Sequence, residues 1–164
     1  MYYFSYGSNM STPRMLKRVP SAKVIALGSL NNHKLKFHKI GKDGSSKCNI
    51  FETLVSKDIV YGVVYKIRES EKANLDHAEG LGLGYEQKSV KVSIINNQSI
   101  LAMTYYATKI KEELKPYHWY KEHVVRGAIE NKLPSEYVTK IESVESEEDP
   151  EEKRKARELS IYRP

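Results

Sequence analysis

The sequence predicts an α+β domain whose sheet closes on itself as a barrel. Segments rich in β-branched and aromatic residues dominate the first two thirds of the chain, and most are joined by short connections. Helical spacing of apolar residues is concentrated near the two ends. At 164 residues, 40% of them hydrophobic, the chain is long enough for one domain with a substantial core.

The first element is a short aromatic strand at residues 2–5, which runs into Tyr6-Gly7-Ser8-Asn9-Met10. Residues 11–18 carry a helix start, with a hydroxyl N-cap and a proline at the first helical position. The pentapeptide is therefore predicted to be a strand-to-helix turn. Successive backbone N–H groups in such a turn can converge on one point and bind a carboxylate or a developing oxyanion.

Further strands are predicted along the next hundred residues, at 24–27, 35–37, 49–55, 59–67, 89–95 and 100–107. Asn31-Asn32 and residues 96–99 have the composition of turns, and residues 41–46 that of a flexible loop. Between the strands, a short helix starts near Ser70 and ends at Gly80, because glycine is the usual helix C-cap.

The chain is predicted to divide into a domain at residues 1–144 and a charged C-terminal tail or surface helix at 145–164. Within the domain, one helix follows Pro116 and another runs through Val138 and Ile141. The final segment carries a net charge of −2, the domain +8. Because this segment is charged and contains few apolar residues, we expect its removal to leave the barrel intact.

The net charge of +6 suits either an anionic small molecule or a nucleic acid. The lysines are scattered and form no basic stripe interleaved with aromatic residues, so nucleic-acid binding is not predicted. No apolar run is long enough to span a bilayer, and no membrane association is predicted. With no signal peptide and Cys48 as the one cysteine, a cytoplasmic location is expected, and Cys48 is interpreted as a core residue rather than a nucleophile.

Glu79 is the candidate catalytic residue. It ends the short helix directly before Gly80-Leu81-Gly82-Leu83-Gly84. The helix dipole disfavours negative charge at this end, which makes the carboxylate more basic and suits a general base. The alternative is an ordinary exposed helix glutamate. Asp76, earlier in the same helix, is assigned a supporting role, and the histidines show no metal-ligand spacing.

Four segments occur in an order that resembles the gamma-glutamylcyclotransferase family, including its AIG2-like and gamma-glutamylamine cyclotransferase relatives. They are residues 6–10, 61–65, 75–80 and 120–134. The resemblance covers roughly residues 2–140. It implies a small mixed β-barrel flanked by helices, and a cofactor-free, metal-free reaction in which a γ-glutamyl compound closes to 5-oxoproline and expels its amine.

The resemblance also assigns roles to individual residues. Glu79 would take a proton from the substrate ammonium and pass one to the leaving nitrogen. The other implied site residues bind substrate, through backbone N–H groups or ring walls and hydroxyls: Tyr6, Gly7, Ser8, Asn9, Met10, Tyr85 and Tyr120. For Tyr85, a role as a buried core aromatic is the alternative.

Three other functions stay open at this point. The same site could remove a γ-glutamyl group from a larger amine or an isopeptide. The cavity could belong to a non-catalytic module that binds small anions, although a carboxylate at position 79 would not help such a module. Nucleic-acid binding is the third. The sequence predicts a small-molecule γ-glutamyl substrate, and it leaves open whether the chain forms a homodimer.

Overall fold

The computed structural model describes residues 1–163 and contains a closed five-stranded barrel with a two-stranded sheet beside it. The strands are β1 (Tyr2–Ser5), β2 (Lys23–Asn31), β3 (His33–Ile40), β4 (Ser46–Glu52), β5 (Ile59–Lys66), β6 (Tyr85–Ser93) and β7 (Ser99–Ala107). The helices are α1 (Thr12–Arg18), α2 (Lys72–Glu79), α3 (His118–Glu130), α4 (Ser135–Glu142) and α5 (Glu152–Leu159). In this part of the chain, no helix is both long and apolar enough to cross a membrane.

The barrel has the strand order β1-β5-β2-β6-β7. All neighbouring strands are antiparallel except β1 and β7, which pair in parallel through Tyr3 and Met103 and close the ring. Strands β3 and β4 form the separate hairpin. This architecture confirms the predicted α+β class and the mixed barrel flanked by helices.

Several local predictions agree with the structure, and the bounds of four strands differ clearly. The strands predicted at 24–27 and 35–37 are longer and lie at Lys23–Asn31 and His33–Ile40. Asn32 and Asn96 adopt left-handed backbone angles (φ 61° and 62°) in the predicted turns, and Gly80 (φ 73°) caps α2. The strand predicted at 49–55 lies at Ser46–Glu52, and that at 89–95 lies at Tyr85–Ser93. Hydrogen bonds to the partner strands β3 and β7 set these bounds. The local residue pattern does not reveal where this pairing begins and ends.

Helix α3 fixes the position of the pentapeptide turn. Gly127 faces the turn so closely that a Cβ atom there would lie 2.4 Å from the Ser11 nitrogen and 2.6 Å from the Met10 carbonyl carbon. The Met10 carbonyl accepts hydrogen bonds from the Tyr65 hydroxyl (3.0 Å) and the Asn131 amide (2.9 Å). The turn is therefore held from the barrel on one side and from α3 on the other.

The C-terminal segment makes buried contacts with the rest of the molecule. The Trp119 indole donates a 2.7 Å hydrogen bond to Asp149, which is almost fully buried and also binds Arg154. The Tyr162 hydroxyl donates to the Ser11 hydroxyl at 2.9 Å. Ser11 lies at the N-cap of α1, but its side chain makes no capping hydrogen bond. These contacts argue against the expectation that removal of the segment leaves the barrel intact.

We now expect truncation after Val144 to destabilise the domain. The deletion leaves the Trp119 indole without its acceptor and exposes surface that Asp149 and Tyr162 cover. The free energy of unfolding should fall by about 2–4 kcal/mol, and the melting temperature by roughly 2–4 °C per kcal/mol. Thermal and urea unfolding of the two proteins measure the difference. An unchanged midpoint would show that these contacts contribute nothing.

Candidate active site

The pentapeptide turn and Glu79 line one narrow cavity at the end of the barrel. Its walls include Tyr6, Gly7, Ser8 and Asn9, with Glu79 across from them; the remaining lining residues are Tyr3, Ser5, Cys48, Tyr85, Tyr105 and Tyr120. The narrow cavity adjoins a wider one of about 390 Å³, which we call the basic cavity. The two share Ser8, Glu79, Tyr85 and Tyr120 as wall residues. The narrow cavity has a volume of about 20 Å³, which is room for one small group, so most of a ligand would lie in the basic cavity.

The Glu79 carboxylate is held by two neighbours through one of its oxygens. Oε1 accepts hydrogen bonds from the Asn9 amide (2.8 Å) and the Arg18 guanidinium (2.7 Å), and Arg18 also donates to the Asn9 Oδ1 (2.7 Å). The Glu79 side chain is 16% exposed. Within residues 1–163, Oε2 has no hydrogen-bond partner. The carboxylate is thus oriented by one oxygen and free to accept a proton at the other.

The backbone N–H groups of the turn are partly available. The Met10 N–H donates to the Gly7 carbonyl at 2.9 Å. Those of Gly7, Ser8 and Asn9 find no acceptor in the described chain. Met10 itself is fully buried, and it lines neither cavity. We therefore remove Met10 from the set of substrate-binding residues, because its backbone and side chain hold the turn in place.

Three tyrosines form the aromatic wall, and their hydroxyls are already engaged. The Tyr6 hydroxyl donates to the Tyr105 carbonyl at 2.7 Å, and that of Tyr85 to the Cys48 carbonyl. The Tyr120 hydroxyl accepts from the Cys48 N–H at 3.0 Å. Burial raises the pKa of Tyr6, Tyr85 and Tyr120 well above the usual tyrosine value, so all three are neutral. Tyr85 is both a buried core residue and a cavity wall.

Asp76 does not line the narrow cavity, but it contacts a residue that does. It accepts a 2.6 Å hydrogen bond from the Tyr105 hydroxyl, and its carboxylate pairs with Lys72 at 2.7 Å on the same helix. Tyr105 lines the narrow cavity, whereas Asp76 does not. The aspartate therefore acts on the cavity through the tyrosine.

The sequence alone did not indicate the cations around Glu79. Arg14 and Arg18 lie one turn apart on α1, directly after the pentapeptide, and this spacing was an available signal. Lys39 and Lys47 come from the β3–β4 hairpin, whose place beside the barrel is a long-range feature. In residues 1–163, no three His, Cys, Asp or Glu side chains are grouped as a metal site would require.

Comparisons with known proteins identify the family to which the chain belongs. The model of the AIG2-like family matches residues 59–141. The gamma-glutamylcyclotransferase of Bos taurus is 36% identical over 147 residues, which are 87% of this chain and 78% of the relative. The chain belongs to the gamma-glutamylcyclotransferase family. The Homo sapiens protein of the same name is 35% identical, with the same coverage of each chain.

A solved structure confirms the family assignment at the level of the fold. This structure, named gamma-glutamyl cyclotransferase, superposes with a TM-score of 0.84 at 31% identity, over 92% of this chain and 91% of that one. The relatives named gamma-glutamylcyclotransferase carry the name of an enzyme class. The narrow cavity, the Glu79 carboxylate and the turn therefore lie in a fold that this class uses.

Cys48 lines the narrow cavity and raises the question of covalent catalysis. Its thiol is buried, and burial raises its pKa to about 12, so it is protonated at neutral pH. We expect the native protein to resist a thiol-modifying reagent at pH 8, and the urea-unfolded protein to react fully. Mass spectrometry counts the label. Rapid labelling of the native protein would mean that the thiol is accessible and ionised.

Proposed function

We propose that this chain is an enzyme that cyclises a γ-glutamyl compound to 5-oxoproline and releases an amino acid or amine. The observation that carries the proposal is the position of Glu79: its carboxylate borders the same narrow cavity as the unused N–H groups of Gly7, Ser8 and Asn9. A base and an anion-binding turn are the two groups that this reaction needs.

The proposed reaction starts with the substrate α-ammonium beside Glu79. Oε2 takes a proton from the ammonium, and the freed amine attacks the γ-carbonyl carbon of the same molecule. The C–N bond to the leaving group breaks as the ring closes. The proton on Glu79 passes to the leaving nitrogen. The ring nitrogen, which still carries one proton too many after the attack, gives it up to the same carboxylate, and this second proton also passes to the released amine, which departs as an ammonium ion. The carboxylate is thus regenerated, and atoms and charge balance. No covalent bond to the protein forms.

The remaining catalytic contribution is positioning. Both reacting groups belong to one molecule, so holding the glutamyl chain in a folded conformation supplies a large part of the rate. The N–H groups of the turn bind glutamyl oxygens, and Tyr6, Tyr85 and Tyr120 confine the chain. Asn9 and Arg18 keep the Glu79 carboxylate oriented through Oε1.

Other finer assignments belong to the same proposal. The substrate is a small molecule, and glutathione is among the γ-glutamyl compounds to be tested. We propose a cytoplasmic location, with which the free, buried Cys48 is consistent. The homodimer stays an open proposal, to be measured by sedimentation.

Glu79→Gln tests the catalytic assignment. Glutamine keeps the size of the side chain and an acceptor oxygen for Asn9 and Arg18, but it cannot take up the proton. We expect turnover to fall by roughly 10²–10⁴-fold with a smaller change in KM. 5-Oxoproline formed from γ-glutamyl amino acids, γ-glutamyl-lysine isopeptide and glutathione is the measured quantity.

Asp76→Asn is the matched control on the same helix. It weakens the contacts with Tyr105 and Lys72, and we expect it to lower stability by about 1 kcal/mol while turnover changes by less than about 10-fold. A Glu79→Gln protein that works at the parent rate would exclude the proposed base. Equal losses in the two variants would indicate a general structural effect.

A further inference from the structure

The basic cavity carries more positive charge than the proposed reaction requires. Six basic and three acidic side chains line it. The acids are paired one to one with bases: Glu79 with Arg18 at 2.7 Å, Glu158 with Arg14 at 2.6 Å, and Asp43 with Lys47 at 2.7 Å. Lys39, Lys42 and Arg157 form no ion pair with any carboxylate of residues 1–163. Three cations are therefore left for a ligand.

Lys39 is the most unusual of these three. Lys42 and Arg157 are exposed, whereas Lys39 is 6% exposed. Its ammonium lies 4.6 Å from the centre of the Tyr85 ring and has no hydrogen-bond acceptor in the described chain. Burial lowers its pKa, an effect that the nearby Glu79 carboxylate opposes. The stem of the side chain is buried, but the ammonium is not among the buried polar atoms that lack a partner, so it is accessible at the cavity wall. A partly desolvated ammonium without a carboxylate partner is a favourable site for a bound anion.

A β-bulge brings Lys39 to the cavity wall. Phe37 pairs with Cys48 and Lys39 with Lys47, so His38 is an extra residue in β3. The bulge puts Lys39 directly opposite Lys47, and both side chains line the basic cavity. Like charges on directly opposed residues destabilise a strand pair. Asp43 offsets the charge of Lys47, so Lys39 is the member of this pair that has no carboxylate partner in residues 1–163.

We propose that Lys39 binds the side-chain carboxylate of the leaving amino acid, so that the preferred substrates release an acidic amino acid. The inference rests on the proposed function, and it names the substrate class of the same site. Lys42 and Arg157 lie at the exposed part of the wall. They attract the other carboxylate of such a leaving group, the α-carboxylate.

The position of Lys39 assigns it to the leaving half rather than to the glutamyl half. Lys39 lines the basic cavity and not the narrow one, where the turn N–H groups bind the glutamyl oxygens. It reaches Tyr85, which borders both cavities and so marks the junction between the two halves. A leaving group with a cationic side chain would meet three unpaired cations and bind poorly.

The test compares two substrates that differ in charge but hardly in shape: γ-glutamyl-glutamate and γ-glutamyl-glutamine. We expect kcat/KM for the glutamate compound to be about 10-fold higher, the size of one charge-assisted hydrogen bond. Raising the ionic strength from about 0.01 M to about 1 M shortens the Debye length from about 30 Å to about 3 Å and should reduce this preference. Equal kcat/KM values for the two substrates would overturn the inference while leaving the proposed function intact.

Lys39→Gln should bring the ratio of the two kcat/KM values close to one, because kcat/KM for γ-glutamyl-glutamate should fall more than that for γ-glutamyl-glutamine. Lys39→Arg keeps the charge and should keep the preference. Lys36→Gln is the control in the same strand, since Lys36 pairs with Glu112 and lies outside both cavities; its ratio should equal that of the parent.

A parent-like ratio in a folded Lys39→Gln protein would overturn the assignment to Lys39. If that variant does not fold, the substrate ratio and its salt dependence in the parent, together with Lys39→Arg, decide the question. Absence of 5-oxoproline from every γ-glutamyl substrate would overturn the proposed function, and this inference with it.

Discussion

The close contact between the pentapeptide turn and helix α3 is the constraint on which the site depends. Gly127 allows the two backbones to meet, because any side chain there would collide with Met10 and Ser11. The Met10 carbonyl is then shared by Tyr65 from the barrel and Asn131 from the end of α3. This packing holds the turn where Gly7, Ser8 and Asn9 border the narrow cavity and the Asn9 amide contacts Glu79. A less constrained turn would lose N–H groups to internal hydrogen bonds and would not orient Glu79.

The charges around Glu79 hold a carboxylate base in a positively charged cavity. They leave one of its two oxygens without a hydrogen-bond partner in residues 1–163. Arg18 contacts one carboxylate oxygen and shares that contact with Asn9, so the ion pair also fixes the orientation of the side chain. The second oxygen faces no hydrogen-bond donor of residues 1–163. Positive charge on the cavity wall attracts an anionic substrate, while Arg14 and Lys47 are each balanced by an acid.

Sequence reasoning succeeded where neighbouring residues determine the structure. The strand–turn–helix at the N-terminus, the Gly80 cap and the asparagine turns depend on a few adjacent residues, and each was predicted in place. The contact of Asn9 with Glu79 joins residues 70 positions apart. The family resemblance implied that both belong to one substrate site, but not that they touch. The bulge that positions Lys39 depends on strand pairing, so no local pattern reveals it. The charged composition of the C-terminal segment suggests solvation and does not reveal that Asp149 is buried by its contacts with Arg154 and Trp119.

The C-terminal helix links the stability of the domain to the chemistry of the cavity. Helix α5 contributes Arg157 and Glu158 to the wall of the basic cavity. Glu158 is the partner of Arg14, and Arg14 also contacts the Ser8 hydroxyl on the turn. Loss of α5 would therefore leave Arg14 without its carboxylate beside the anion-binding turn. A free guanidinium there would compete with Lys39 for the negative charges of a substrate. The segment thus shapes the charge of the basic cavity by pairing Arg14 and by supplying Arg157, in addition to its contacts with Trp119 and Ser11.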